Sequence, residues 1–386
     1  MLGMIPAPGV FIAGVAVFFV VLWDAFEAII LPRRVTRRFR LTRFYYLFTW
    51  RAWKLYARLL PAKKAKDAFL GFFGPMSLFF LIGVWAIGLV LSFGMMQYGA
   101  GSAVSVSGAT RPGLYTDLYL SGTTFFTLGL GDVVPRSGLA RFLVVAEAGF
   151  GFGFLAAMIG YLPFIYGAFS NRETNIALLD ARAGTPPTAG ELLRRHAYAG
   201  GEAALQKLLS EWERWCAQLL ESHLSYPVLA YFRSQHDNQS WIASLTAILD
   251  TCALVIAGVE DACSKQAELT FAIARHAVVD LCQVFGAPPR PLTSDRLPQD
   301  ISEKLRTKLA KHGMVLLTTP EAALKLTELR EMYEPYVNAL ARHLNHSLPP
   351  WIPEKKGRDN WETTAWAKTS GMTDENPAHL LHDDHF

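Results

Sequence analysis

Three long apolar stretches, all within the first 170 residues, constrain what this chain of 386 residues can fold into. Residues 9–31 hold two acidic side chains as their only charges, residues 68–96 hold no charge, and residues 142–169 hold one glutamate. A helix needs about 20 apolar residues to cross the core of a bilayer. Buried helices of soluble proteins rarely run this far with so little charge. The pattern therefore predicts three membrane-spanning helices rather than one large soluble core.

The composition agrees with a membrane protein. Only 18% of the residues are charged, against about a quarter in typical soluble domains, and 51% are hydrophobic, which excludes a disordered chain. Four cysteines are too few for a secreted disulfide scaffold. We interpret residues 9–31 as a retained transmembrane helix and not as a signal peptide, because no Lys or Arg precedes Arg33 and the apolar run exceeds a signal core.

The basic residues predict the orientation. Residues 33–66 contain 12 Lys and Arg and no acidic residue. Short loops rich in Lys and Arg stay on the cytoplasmic side of a membrane. We therefore expect a multi-pass protein of the cell membrane with its N-terminus outside, residues 99–139 outside, and everything after residue 169 in the cytoplasm.

Within the basic segment, residues 43–56 interleave aromatic and cationic side chains. Both kinds favour the headgroup region, so we expect a helix on the inner leaflet that contacts anionic lipids. The alternative is a solvated linker that only sets the topology. A nucleic-acid interface has a similar composition, but a tether between two spans argues against it.

The outside segment between the second and third spans carries the chemistry. A small, polar stretch at 99–113 precedes a run at 114–126 that suits a helix too short to span a membrane. This run leads directly into the sequence Thr127-Leu128-Gly129-Leu130-Gly131-Asp132-Val133-Val134-Pro135.

The spacing of this loop suits the passage of an ion. An ion leaving water needs its hydration shell replaced, and backbone carbonyls around a narrow axis do this. Glycines at alternate positions, Gly129 and Gly131, tolerate the backbone angles that alignment of carbonyls requires. The preceding helix would aim its negative end at the cation, and Asp132 would attract cations at the outer mouth. The alternative is a glycine-rich turn between two helices.

The segment resembles the pore loop of potassium channels, in which a pore helix leads into Thr-Val-Gly-Tyr-Gly-Asp. The resemblance covers about residues 68–169, with an outer span before the loop and an inner span after it. The matching residues are Thr123, Thr124, Thr127, Gly129, Gly131, Asp132 and Pro135. The resemblance implies a passive, potassium-selective cation channel that is not an enzyme and needs no cofactor. Potassium would be bound by the backbone carbonyls of Thr127, Leu128, Gly129 and Leu130 and by the Thr127 hydroxyl.

Two further features bear on this function. Leu130 stands where most members have Tyr or Phe. The aromatic ring packs behind the filter there, and a Tyr hydroxyl can donate a hydrogen bond that keeps the filter taut, so a weakly selective cation channel is an alternative. The chain carries one such loop and no internal repeat, whereas a closed pore needs four. We therefore expect a homotetramer.

The inner span contains the candidate gating residues. Gly151 lies near the position of the family's hinge glycine, and it either bends the helix or, with Gly149 and Gly153, makes room for the pore helix. Pro163 is a second candidate hinge. Glu147 is predicted to brace the pore loop through Thr123 or Thr124, with a role in permeation as the alternative.

Asp24 and Glu27 lie one helical turn apart in the first span. We expect them to pair with Arg33 and Arg34 at the inner interface, with proton sensing as the alternative. Regularly spaced arginines are missing from this span, which argues against voltage sensing.

From residue 170 the chain becomes polar and helical, with no strand-like alternation and no dinucleotide-binding or cyclic-nucleotide-binding pattern. The predicted helices run over about 189–196, 202–224, 240–262, 266–285, 301–312 and 320–344. The scattered cysteines, Cys216, Cys252, Cys263 and Cys282, are predicted to be buried thiols. His379, His382 and His385 are predicted to lie in a solvated tail. The ligand of this half and the gating stimulus are not legible from the sequence.

The predicted fold class is an all-α membrane protein with three transmembrane helices and a re-entrant pore helix and selectivity loop per subunit, followed by a helical cytoplasmic domain. The predicted parts are an N-terminal span at 1–32, a basic interfacial segment at 33–67, a pore domain at 68–169, a helical cytoplasmic domain at 170–350 and a disordered tail at 351–386. A non-conducting membrane sensor or scaffold is the alternative from another functional class.

Overall fold

The computed structural model describes residues 7–29, 40–106, 112–234, 239–259, 263–291, 294–353 and 359. The chain divides into two compact units, Met1–Gly167 (the N-terminal unit) and Ala168–Phe386 (the C-terminal unit). The described structure is mostly helical, as expected of an all-α membrane protein. The elements are α1 (Pro8–Ile29), α2 (Leu41–Arg58), α3 (Lys63–Gly71), α4 (Phe73–Gly99), β1 (Val104–Val106), α5 (Leu114–Phe125), β2 (Val133–Pro135), α6 (Gly138–Ala183), α7 (Ala189–His196), α8 (Gly201–Ser225), a 3-10 helix (Pro227–Tyr231), α9 (Trp241–Gly258), α10 (Ser264–Phe285), α11 (Gln299–Ala310) and α12 (Pro320–Leu344).

Long apolar helices occupy the three predicted stretches. Helices α1, α4 and α6 each contain a window long and apolar enough to cross a membrane. Helices α1 and α4 pack along each other, with Val21 of α1 and Trp85 and Leu89 of α4 in a shared buried cluster. The second stretch was predicted to begin at residue 68, but α4 begins at Phe73 because the preceding residues complete α3.

Helix α6 does not end where its apolar stretch ends. The predicted boundary at 169/170 falls inside a continuous helix of 46 residues that also contains Pro163. The residues after 169 are more polar because the environment of the helix changes there, but none of them ends the helix. The helix ends at Ala183 because Gly184 follows in a left-handed conformation (φ 79°) and donates its N–H to the Asp180 carbonyl at 2.9 Å.

A small sheet, which the sequence did not indicate, frames the loop after α5. Strands β1 and β2 are antiparallel, with Val104 opposite Pro135 and Val106 opposite Val133. Val104 and Val133 form a buried cluster with Leu120 of α5. The chain leaving the loop is therefore attached both to β1 and to α5.

The basic segment forms two helices, where the sequence indicated one on the inner leaflet. The Trp53 ring of α2 stacks on Phe69 of α3 at 4.5 Å, and its Nε1 donates to the Phe69 carbonyl at 3.0 Å. The Tyr45 hydroxyl of α2 donates to the Ser77 carbonyl of α4 at 2.8 Å. Aromatic side chains thus attach α2 to the start of the second long helix.

In the C-terminal unit, helices lie where the 3.6-residue periodicity predicts them, with ends that differ by up to four residues. A fourth apolar helix, α9, also meets the length and composition of a span. Our statement that no apolar stretch lies beyond residue 170 was therefore wrong. Every residue of 241–255 in α9 is buried, and α9 packs against α10 and α12 as the core of this unit. The four cysteines are free and buried, as predicted.

Arg172 is a buried arginine near the start of the C-terminal unit. Its guanidinium donates to the carbonyls of Leu229 at 2.9 Å and Phe232 at 2.7 Å and lies 3.3 Å from His223 Nε2. Arginine can only donate, so Nε2 of His223 is the acceptor and Nδ1 carries the hydrogen that bonds to the Leu219 carbonyl at 2.9 Å. Burial and then the charge of Arg172 lower the pKa of His223 well below its usual value. His223 is therefore neutral.

A second buried charge network involves residues of the predicted disordered tail. Arg296 donates to both carboxylate oxygens of fully buried Asp250 and pairs with Glu334. The buried ring of Trp351 lies 5.6 Å from the guanidinium carbons of both Arg296 and Arg330. The tail prediction is thus wrong for residue 351, and Asp359 also forms an ion pair with Arg195. The other tail residues beyond 353, including the three histidines, lie outside the described part of the chain.

Candidate functional site

The loop at 126–132 begins where α5 ends. The Thr123 carbonyl, in the last turn of α5, accepts the N–H of Leu128 at 2.7 Å and that of Gly129 at 3.4 Å. The Thr127 N–H donates to the Thr124 carbonyl at 3.0 Å. These bonds turn the chain back towards the last turn of α5, so that the loop starts next to the carboxyl end of that helix.

The backbone of the loop alternates in handedness. Thr127, Gly129 and Gly131 have positive φ angles of 58°, 57° and 78°, whereas Leu128 and Leu130 between them do not. Such alternation turns every second peptide plane over, which directs successive carbonyl oxygens to one side. Glycine adopts the left-handed conformation without strain, which explains its place at two of the three positions.

Apolar side chains of the loop are exposed in the single chain. Phe126, Leu128 and Leu130 are 59%, 61% and 64% exposed. In contrast, Phe125 and Val133 on either side of the loop are buried. The flanks are therefore packed within the chain, and the side chains of the loop itself are left uncovered.

Asp132 at the end of the loop accepts the N–H of its neighbour Val133 through Oδ1 at 3.1 Å. The Tyr119 side chain of α5 interacts electrostatically with the same carboxylate. No role was predicted for Tyr119. Its hydroxyl is a polar group near the end of the loop, which Leu130 does not offer. The only sequence signal for this contact is a hydroxyl-bearing aromatic residue on the short helix before the loop.

Glu147 contacts a different residue from those predicted. The Ser121 hydroxyl, and not Thr123 or Thr124, hydrogen-bonds to Glu147 Oε1. The Ser121 hydroxyl also lies 2.7 Å from the Val90 carbonyl of α4, while the Thr123 hydroxyl donates back to the Leu120 carbonyl at 3.0 Å. Glu147 thus braces α5 one turn before the predicted threonine pair.

Gly151 of α6 lies against the end of α5. A Cβ atom added there would lie 2.4 Å from the Phe125 carbonyl oxygen, whereas one added at Gly149 or Gly153 would meet no atom within 4 Å. Of our two interpretations, close packing against the pore helix fits Gly151. The helix is continuous through Gly151 and Pro163, and their role as gating hinges stays a prediction.

The acidic pair of the first span has partners among the described residues, and its predicted pairing with Arg33 and Arg34 stays a prediction. Asp24 accepts three hydrogen bonds. The donors are the Thr42 N–H at 3.1 Å, the Thr42 hydroxyl at 2.6 Å and the Trp85 Nε1–H at 2.9 Å. Glu27 lies 3.3 Å from Arg40 Nε. Arg33 and Arg34, the predicted partners, lie outside the described residues. Both acids therefore join α1 to the start of α2, and Asp24 also reaches α4.

The described residues hold no group of three His, Cys, Asp or Glu side chains that could bind a metal ion. The oxygen atoms of the loop that could bind a cation are those of the backbone, of the Thr127 hydroxyl and of the Asp132 carboxylate.

Comparison with known proteins identifies this region. Residues 78–163 match a family model described as an ion channel, of the two-transmembrane, potassium-channel pore type. The predicted resemblance to potassium-channel pore loops is confirmed for this segment, which runs from α4 through α5 and the loop to Pro163 in α6. No curated protein matched the chain. No solved structure matched it either.

Proposed function

We propose that four copies of this chain form a passive, potassium-selective channel in the cell membrane. The carbonyl oxygens of residues 127–130 and the Thr127 hydroxyl bind the permeant ions, and Asp132 attracts them at the outer mouth. The observation that carries the proposal is the alternation of left-handed residues at Thr127, Gly129 and Gly131, directly after a helix of 12 residues that is too short to span. No chemical step is involved, and ions move down their gradient.

Three helices, α1, α4 and α6, are proposed as the spans. The fourth apolar helix, α9, is assigned to the interior of the C-terminal unit, because it is buried by its own neighbours and has no face left for lipid. The basic residues after α1 orient the molecule with its N-terminus outside and its C-terminal unit in the cytoplasm.

The tetramer is proposed from the loop. One loop supplies carbonyls from one side only, and a cation in a filter is surrounded by four. The exposed Phe126, Leu128 and Leu130 side chains give each subunit an apolar surface around the loop. A closed ring of identical subunits covers such a surface on every copy.

Anionic lipids of the inner leaflet are the proposed membrane partners of α2. The Lys54 ammonium lies 5.5 Å from the centre of the Trp50 ring, which is buried. Lys54 thus lies beside an aromatic ring that packs on Phe73 at the start of α4. Vesicles with and without phosphatidylserine test this, because binding or flux that does not depend on the anionic lipid contradicts it.

Potassium flux from purified full-length protein in liposomes tests the channel. The Gly129→Asp variant is expected to abolish flux, because it puts a Cβ and a charge where φ is 57°. The matched control is Gly138→Asp, which makes the same change at an open position at the start of α6, where a carboxylate suits the helix dipole. Flux that is missing from the wild type, or that survives Gly129→Asp, rejects the pore and favours the non-conducting sensor or scaffold.

Reversal potentials with potassium on one side and sodium on the other test selectivity. A weakly selective cation channel is the rival because Leu130 cannot donate a hydrogen bond. A reversal potential near zero establishes this rival, and a large potential of the sign expected for potassium supports the proposal.

A further inference from the structure

Ser121 of α5 lies between two oxygen atoms that ordinarily only accept hydrogen bonds. Its Oγ is 2.7 Å from the Val90 carbonyl oxygen of α4 and also hydrogen-bonds with Oε1 of Glu147 on α6. A hydroxyl group has one hydrogen to donate. A peptide carbonyl has none, so the Ser121 hydrogen points to Val90. The hydrogen in the bond between Ser121 and Glu147 must then come from the carboxyl group.

The surroundings of Glu147 also favour a neutral acid. Glu147 and Ser121 are both fully buried, and Oε2 of Glu147 has no hydrogen-bond partner among the described residues. A buried carboxylate with an unpaired oxygen is costly, whereas a carboxylic acid needs one acceptor for its hydrogen, which Ser121 provides. Within the described part of the chain, no Lys, Arg or His forms an ion pair with Glu147.

The other titratable groups on the three contacting helices are few. Helix α4 contributes Tyr98, and α6 contributes Arg141 before Glu147. The remaining titratable groups of α6 begin at Tyr161, about four turns after Glu147, and are Tyr161, Tyr166, Arg172, Glu173, Asp180 and Arg182. Helix α5 carries Tyr115, Asp117 and Tyr119. Of these, Asp117 is the other fully buried carboxyl group. It lies one turn from Ser121, and it hydrogen-bonds to Ser102.

We propose that Glu147 is a neutral carboxylic acid that donates its hydrogen to Ser121, and that its ionisation in alkaline solution closes the pore. The chain of hydrogen bonds runs from α6 through Ser121 to α4, and it fixes the helix whose Thr123 carbonyl holds the start of the loop. An ionised Glu147 has no hydrogen for Ser121 and competes with Val90 for the one that Ser121 carries. Glu147 is thus a positioning residue, and only the effect on conduction rests on the proposed channel function.

Infrared spectroscopy of the full-length protein in liposomes tests the protonation without reference to flux. The difference between wild type and Glu147→Gln at neutral pH is expected to show the C=O stretching band of a protonated carboxylic acid, which disappears in alkaline solution. The amide of Gln donates to Ser121 in place of the carboxyl group. The band is expected to remain in Asp117→Asn, which also serves if Glu147→Gln does not assemble. Absence of the band at neutral pH, or its loss in Asp117→Asn, overturns the proposal.

Potassium flux measured between about pH 6 and about pH 10 tests the consequence. Each variant is compared with its own flux at neutral pH. The flux of the wild type is expected to fall in alkaline solution, by about tenfold for each pH unit beyond the point at which half of the acid is ionised. Glu147→Gln is expected to keep its flux. An equal relative loss in both proteins overturns the pH effect, whereas a wild type without flux at any pH rejects the channel and leaves the infrared result to decide the protonation.

Discussion

Asp250 in the C-terminal unit and Glu147 in the N-terminal unit are both fully buried carboxyl groups, yet their partners differ in kind. Asp250 meets the guanidinium of Arg296 at 2.6 and 3.2 Å and the hydroxyl of Tyr333. Glu147 meets the hydroxyl of Ser121. The C-terminal unit thus balances one buried charge with another. Around the pore helix, buried acids contact hydroxyl groups, as suits a region where a cation is costly to bury.

The largest expected effect comes from removing the guanidinium of the buried Arg296–Asp250 ion pair. Arg296→Met leaves Asp250 buried without a counter-charge and is expected to destabilise this unit by about 3–5 kcal/mol. Hydrogen exchange of the α9 amides measures the loss. The control Arg182→Met removes an ion pair with Glu211 in which both side chains are nearly half exposed, and it is expected to cost less than about 1 kcal/mol. Equal losses would show that the buried pair does not set the stability of this core.

The next effect tests close packing in the N-terminal unit. Gly151→Ala puts a methyl group 2.4 Å from the Phe125 carbonyl and is expected to lower stability by about 1–3 kcal/mol, measured by thermal unfolding in detergent. Gly149→Ala, two residues earlier at an open position, is the matched control and is expected to be neutral or stabilising. If the two variants unfold alike and only gating changes, Gly151 acts as a hinge and not as a contact.

The pH dependence of the C-terminal unit gives an effect of similar size. His223 is neutral when folded because its pKa lies well below the usual value, whereas in the unfolded chain it binds a proton below about pH 6.5. Stability therefore falls as the pH falls, by about 2 kcal/mol between about pH 7 and about pH 5. Denaturation of wild type and His223→Gln at both pH values isolates this contribution, and no difference between the two proteins would contradict it.

Ionisation of Glu191 does not contribute to the change in stability between about pH 7 and about pH 5. Burial alone would raise its pKa, but hydrogen bonds from Arg194, Arg195 and Lys308 lower the pKa to about 2. Its stabilising contribution is fully present above its unfolded pKa of about 4.3 and is lost only as the pH falls towards 2. A loss of stability between about pH 7 and about pH 5 is therefore not due to this carboxylate.

The smallest expected effect concerns the end of the loop at Asp132. Tyr119→Phe removes the hydroxyl that interacts electrostatically with Asp132, a polar interaction of at most about 1 kcal/mol, and is expected to shorten open times or lower the potassium preference by up to about fivefold. Single-channel recording measures both. Tyr115→Phe makes the same change one turn earlier, on a side chain that is 89% exposed, and is expected to have no effect. Identical recordings from both variants would show that the loop does not depend on Tyr119.

Features encoded locally could be predicted from the sequence, and contacts between distant segments could not. The spans and the loop were legible because the length of an apolar run and the spacing of Gly129 and Gly131 are local patterns. The bond between Ser121 and Glu147 joins residues 26 positions apart, and the electrostatic interaction of Tyr119 with Asp132 depends on how the chain folds back after α5. The periodicity of a helix shows which residues share a face but not which residue of another helix that face meets.

Two errors have a common physical origin. Helix α9 was not recognised as apolar in the way the spans are, and α6 was given an end at residue 169. In both cases the hydrophobicity of a segment depends on what surrounds the helix. It does not show where the helix begins or ends, or whether the helix spans a membrane. A helix buried on all sides has the composition of a span, and a helix that leaves the apolar region continues until a residue such as Gly184 stops it.

The contact of Asp24 with the start of α2 has a consequence for biosynthesis. Arg40, the N-cap residue before α2, supplies no side-chain cap, and the N–H of Thr42 instead donates to Asp24, 18 residues earlier on α1. A helix whose first turn is completed by another helix gains that bond only after the two have met. The ribosome delivers α1 first, and Trp85 of α4, which donates to the same carboxylate, emerges last. The start of α2 is therefore completed only once α2 has met α1, and the same carboxylate gains its third donor only when α4 has been made.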